Sequence, residues 1–126
     1  MRAVDTNLLV RLLVRDDPKQ VAAAEAFIAK GAWVSQLVLA ETMWVLDAVF
    51  GLEPSRIATA VDMLLRHTHL TIQDAEVVAA ALSHYRGRRK VEFSDCLILE
   101  IAKKAGHVPV GTFDREMAKL EGAVRV

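Results

Sequence analysis

Arg2-Ala3-Val4-Asp5-Thr6-Asn7-Leu8-Leu9-Val10-Arg11-Leu12-Leu13 is the stretch that decides the fold of this chain. Val4 and its neighbours read as a short strand, and Leu8, Leu9, Leu12 and Leu13 recur at helical spacing straight after it. Asp5 sits at the junction, the carboxyl end of the strand, where open parallel sheets place their ligand crevice.

The same alternation repeats outward from there. Asp16-Asp17-Pro18 is a capped helix start with Pro18 at the first helical position, and Gly31 stops that helix after Lys30. Ala32-Trp33-Val34 is a second strand, and Ser35 caps a helix that ends near Phe50-Gly51. Pro54-Ser55 opens another helix, with Ile57, Val61, Leu64 and Leu65 on one face. His69 to Ile72 is a third strand, and Asp74 caps the helix that carries Val77, Val78, Ala81, Leu82 and Tyr85. A basic loop from Arg86 to Lys90 leads to a helix from about Ser94, ended by Gly106. His107 to Thr112 predicts a fourth strand, Asp114 to Leu120 a short helix, and Val124 to Val126 a fifth strand. Connections of this length suit crossovers rather than hairpins. The expectation is an α/β fold, a three-layer α/β/α sandwich around a central parallel sheet of about 4–5 strands. No repeat, low-complexity tract or linker interrupts it, so residues 1–126 read as a single domain.

Composition narrows the function classes. Hydrophobic residues make up 53% of the 126, which excludes a disordered charged tail. No apolar run approaches the roughly 20 residues needed to span a bilayer. The opening segment lacks the pattern of a signal peptide. The single cysteine, Cys96, forms no internal disulfide, which suits the cytoplasm. Sixteen basic and sixteen acidic residues balance to zero, whereas a nucleic-acid binder is usually basic. Two bound divalent ions would move that total to about +4.

Four of the acids stand apart: Asp5, Glu41, Asp95 and Asp114. At about 100° per residue, Gln36 and Asp47 share the polar side of their helix. Glu41 falls roughly 120–140° away on the same projection, beside Leu37, Val45 and Ala48. A buried carboxylate there needs a proton, a basic partner or a metal. Asp95 projects near Ile98, Leu99 and Ala102, away from Glu100, Lys103 and Lys104. Asp114 follows the fourth strand as Asp5 follows the first. Brought together, such side chains would repel by about 4 kcal/mol per pair at about 4 Å and an effective dielectric near 20. Protons or a divalent cation would have to neutralise them. Taken singly, Asp5, Asp95 and Asp114 also read as helix N-caps, and Glu41 as half of a buried salt bridge. Glu100 reads as part of a solvated face, and Glu116 either as a solvated residue or as a helper at the metal. The four histidines show no zinc spacing, Cys96 reads as a packed thiol, and no Gly-rich phosphate loop is present.

In order and spacing these motifs resemble the PIN-domain ribonucleases, and in size the VapC-like toxins of toxin–antitoxin pairs. Asp5-Thr6-Asn7 resembles the family's opening motif, Glu41 its acid on an early helix, Phe93-Ser94-Asp95 its third acid, and Thr112-Phe113-Asp114 its closing Thr-x-Asp. The resemblance covers essentially the whole chain. It implies that Asp5, Glu41, Asp95 and Asp114 meet in one pocket and serve as catalytic and metal-binding residues. It further implies a Mg²⁺- or Mn²⁺-dependent endoribonuclease, and hard oxygen ligands suit those ions. Thr6, Asn7 and Thr112 would then form a hydrogen-bonding shell around the carboxylates. A cognate antitoxin and a homodimer are implied as well.

The loop residues Arg86, Arg88, Arg89 and Lys90 are the candidates for gripping RNA phosphates. The helix 36–50 is apolar around most of its circumference, which predicts either burial on both sides or an exposed interface. A catalytically inactive PIN-like binding domain is the alternative function. A signalling receiver domain fits less well, since Asp5 is followed by Thr6 and the third strand carries no acid at its tip. A haloacid-dehalogenase-like phosphatase would want an acid where Asn7 stands.

Overall fold

A helix starts readily where a short polar side chain can accept a backbone N–H that the helix leaves unpaired. In the computed structural model, which describes residues 1–86 and 90–126, this happens three times early in the chain. Asp5 Oδ1 accepts from Leu8 N at 2.9 Å and starts α1 (Thr6–Val14). Asp17 Oδ1 accepts from Gln20 N at 3.1 Å and, with Pro18 at the first position, starts α2 (Pro18–Ile28). Ser35 Oγ accepts from Val38 N at 3.1 Å and starts α3 (Gln36–Ala48). Gly31, at φ 96°, turns the chain out of α2, which ends two residues before the expected Lys30.

The chain divides into two compact units, Met1–Ala75 and Glu76–Val126. In the first, β1 (Arg2–Ala3), β2 (Ala32–Val34) and β3 (Leu70–Ile72) form a parallel sheet in the order β1-β2-β3. Arg2 pairs with Ala32, and Val34 with Ile72. Two helices connect each successive pair of strands, the second pair by way of α3 and α4 (Pro54–Arg66). Ala32 and Val34 are fully buried while Trp33 between them is 36% exposed, the period-2 alternation of a strand with one packed face. Leu9, Val10, Ile28, Leu39, Leu46 and Val61 fill the space between helices and sheet.

The second unit holds most of α5 (Ala75–Arg86), then α6 (Phe93–Ala105), β4 (Val110–Thr112), a 3₁₀ turn over Met117–Lys119, and β5 (Ala123–Arg125). Tyr85 and Phe93 meet edge to face at 5.8 Å, joining α5 to α6. Gly106, at φ 83°, ends α6 as expected.

Among the described residues there are five strands and every pairing is parallel, which places the chain in the α/β class. Backbone hydrogen bonding groups these strands as a three-stranded and a two-stranded parallel set. Val110 N donates to Gly122 O at 2.8 Å and Val126 N to Thr112 O at 2.9 Å, so β4 spends its hydrogen bonds on β5. The expected helix after Asp114 is only the 3₁₀ turn, too short to count as a full α-helix. Among the described residues no helix is long and apolar enough to cross a membrane.

Candidate metal-binding carboxylates

The two units share the four acids equally: Asp5 and Glu41 belong to the first, Asp95 and Asp114 to the second. Among the described residues, no group of three or more His, Cys, Asp or Glu side chains is placed to hold a metal ion.

Asp5 is a helix cap, in line with one reading of the sequence. Its Oδ1 is taken by Leu8 N, while Oδ2 accepts no hydrogen bond among the described residues. Asp114 follows the same pattern. Its Oδ1 accepts from Glu116 N at 2.8 Å and Met117 N at 3.1 Å, and Oδ2 is left over. Thr112 Oγ1 accepts the Asp114 N–H at 3.0 Å, so Thr112 does orient the acid two residues on. Thr6 and Asn7 make no side-chain hydrogen bond to Asp5 among the described residues, and Asn7 faces a groove between α1 and α2 beside Arg11 and Phe27.

Asp95 is not a cap. Glu92 holds that position, and Asp95 lies in the first turn of α6. Burial pushes its carboxyl above the ordinary aspartate range, and the charges of Glu92 and, more weakly, Asp114 push the same way. A hydrogen bond with the Glu92 backbone opposes them. Asp95 on α6 thus feels the charge of Asp114 after β4. Glu92 is not among the acids that stand out in the sequence. The Glu92-x-x-Asp95 spacing, one helical turn, is the signal that points to it.

Glu41 requires a correction. The sequence places it among apolar neighbours in a buried setting, whereas it is exposed, with neither hydrogen bond nor ion pair among the described residues. Its angular position on α3 is as projected. The arc it shares is itself open to solvent, with Leu37 70% and Trp44 58% exposed. The buried arc of α3 is Leu39, Thr42, Met43 and Leu46. The salt-bridge reading of Glu41 falls with the burial.

The remaining candidates separate cleanly. Glu116 is held by Lys119 Nζ at 3.2 Å. Glu100 is mostly buried rather than solvated, with Lys103 Nζ at 3.1 Å and His84 Nε2 at 3.4 Å. Cys96 is fully buried, and burial followed by the charges of Asp95 and Glu100 raises its thiol to about 11, which removes it as a nucleophile. Arg86 and Lys90 are exposed. Arg88 and Arg89 lie outside the described residues.

The chain is a parallel α/β protein with acids after its first and fourth strands, and strand ends are where open α/β sheets bind ligands. The chain belongs to the PIN domain family, which matches residues 2–123 and so spans both units. That family's members are generally nucleases that use divalent metals. No curated protein and no solved structure matches the chain.

Proposed function

We propose that this PIN-domain protein is an endoribonuclease that uses Mg²⁺ or Mn²⁺ held by Asp5, Glu41, Asp95 and Asp114. The observation that carries the reading is the state of Asp95: a half-buried carboxyl, raised by its surroundings and sensing Asp114, on the first turn of a helix. A carboxylate kept where it is electrostatically disfavoured is characteristic of functional sites. The donor set fits the ion, because carboxylate oxygens are the ligands that Mg²⁺ and Mn²⁺ prefer, and Oδ2 of both Asp5 and Asp114 accepts no hydrogen bond among the described residues. A bound divalent cation would supply activation of water and stabilisation of charge on the phosphate. Thr112 holds the backbone of Asp114, and the α1 cap holds one oxygen of Asp5, which limits the freedom of both acids. Arg86, Arg88, Arg89 and Lys90 would supply cations for the RNA backbone.

The toxin role, with an antitoxin and a homodimer in the cytoplasm, is part of the same proposal. Its support is apolar surface. Leu37, Trp44 and Val49 on or beside α3 are each more than half exposed. A groove of about 380 Å³ in the first unit is floored by Leu12, Leu46, Leu52 and Leu64, with Arg15 and Arg56 beside it. Surface of this kind suits a protein partner.

Substitution at Asp5 separates its two roles. Asp5→Asn keeps an acceptor for Leu8 N, so its thermal stability should stay within roughly 0.5 kcal/mol of the parent. Asp5→Ala loses the cap and about 1 kcal/mol. Both should lose divalent-ion-dependent RNA cleavage. Purified protein assayed with RNA, with and without Mg²⁺ or Mn²⁺, makes the test. Full cleavage by Asp5→Asn would refute the assignment.

A further inference from the structure

Phe113 is 82% exposed, more than any other large hydrophobic residue among those described apart from Met1, which matches it. A single apolar side chain in water is ordinary and would carry nothing alone. Its setting adds the rest. The backbone on both sides is fixed: Thr112 O accepts from Val126 N at 2.9 Å, and Asp114 O accepts from Ala118 N at 3.0 Å. Thr112 Oγ1 and Asp114 Oδ1 bind three further N–H groups. Met117 and Leu120 anchor the following turn in the interior. The ring is therefore held out by an ordered backbone.

Its neighbours in the chain are the functional carboxylate Asp114 and then Arg115. Arg115 is exposed, with no carboxylate within salt-bridge distance among the described residues. Aromatic ring, acid and guanidinium thus occur on three successive exposed residues. A ring face stacks on any unpaired base, and a guanidinium binds phosphate by paired N–H donors. A protein partner would want a broad apolar surface, whereas both residues after Phe113 are charged.

We infer that Phe113 stacks on an unpaired nucleobase next to the phosphodiester that is cut, and that Arg115 holds an adjacent phosphate. The inference rests on the nuclease reading above and deepens it by naming the side chains that hold the strand beside the cut.

The test uses the full chain and a single-stranded RNA carrying 2-aminopurine, compared with the same strand in a duplex. Cleavage is measured with Mg²⁺ or Mn²⁺, and binding with the Asp95→Asn protein. Phe113→Ala should raise KM and Kd for the single strand about tenfold or more, leave kcat nearly unchanged and abolish 2-aminopurine quenching. Phe113→Trp should restore both affinity and quenching. Arg115→Gln should weaken binding whatever the base, and reduce the salt slope of log Kd by about 0.7. Parent-like affinity and quenching in Phe113→Ala, while the parent protein cleaves RNA, would overturn the inference and leave the nuclease reading standing. The inference is equally overturned if Phe113→Ala changes only self-association measured by sedimentation. A parent protein that neither binds nor cleaves RNA would overturn both.

Discussion

Asp95→Asn is expected to abolish metal-dependent cleavage while leaving the protein at least as stable as the parent at neutral pH. The two halves of this result have one cause. Burial, with Glu92 and Asp114 nearby, raises the folded-state carboxyl above its unfolded value. Between those two values the native state binds more protons than the unfolded state, so stability falls as pH rises through the window. The destabilisation is absent below the ordinary aspartate value of about 4 and fully present above the raised one. Asparagine never ionises and escapes it. Activity runs the other way, because the charge that destabilises the fold is the one that would hold the cation. Removing one ligand of such a site should lower cleavage about a hundredfold or more, each tenfold step being about 1.4 kcal/mol of barrier.

The measurement is thermal denaturation from pH 3 to 8, with and without divalent ion. Below about pH 4 parent and variant should melt together, and above it the parent should melt lower. Adding Mg²⁺ or Mn²⁺ should raise the parent's stability by up to about 2.7 kcal/mol at a hundredfold excess over Kd. The same addition should raise the variant much less. A variant less stable than the parent at every pH, with no difference in response to metal, would mean that Asp95 has a structural role only.

Much of this is legible in the sequence, and the boundary between legible and illegible is physical. Local signals read well. Asp17-Pro18, Ser35 and Gly106 mark helix ends because capping and positive φ are settled within a few residues of chain. The strand at Ala32-Trp33-Val34 appears over the same three residues. Pairing between strands is a different matter, since nothing within Val110-Gly111-Thr112 says which strand will accept its hydrogen bonds. Glu41 shows the same limit for helices. A helical projection gives the angle of a side chain, but on a helix apolar nearly all round it does not say which arc is covered. The acids are identifiable as unusual one by one. The electrostatic link between Asp95 and Asp114 depends on how α6 and the loop after β4 fold within the second unit, and only the structure supplies it.

Leu99→Ala should cost about 2–5 kcal/mol, and its neighbour Ile98→Ala less than about 0.5. The sequence treats these adjacent residues alike, as the apolar company of Asp95. In the structure Leu99 is fully buried and Ile98 is 51% exposed. Leu99 lies one helical turn beyond Asp95 and reaches the turn into β5, where a Cβ built on Gly122 would stand 3.3 Å from its Cδ1. Truncating it opens a cavity under both α6 and the β4–β5 pair, the elements that position Asp95 and Asp114. The melting temperature should fall by on the order of 10 °C, and cleavage should fall with it as the two carboxylates lose their fixed placement. Ile98→Ala should melt and cleave like the parent. Equal losses in the two variants would mean that α6 buries a different face, and the coupling of Asp95 to Asp114 would lose its structural basis.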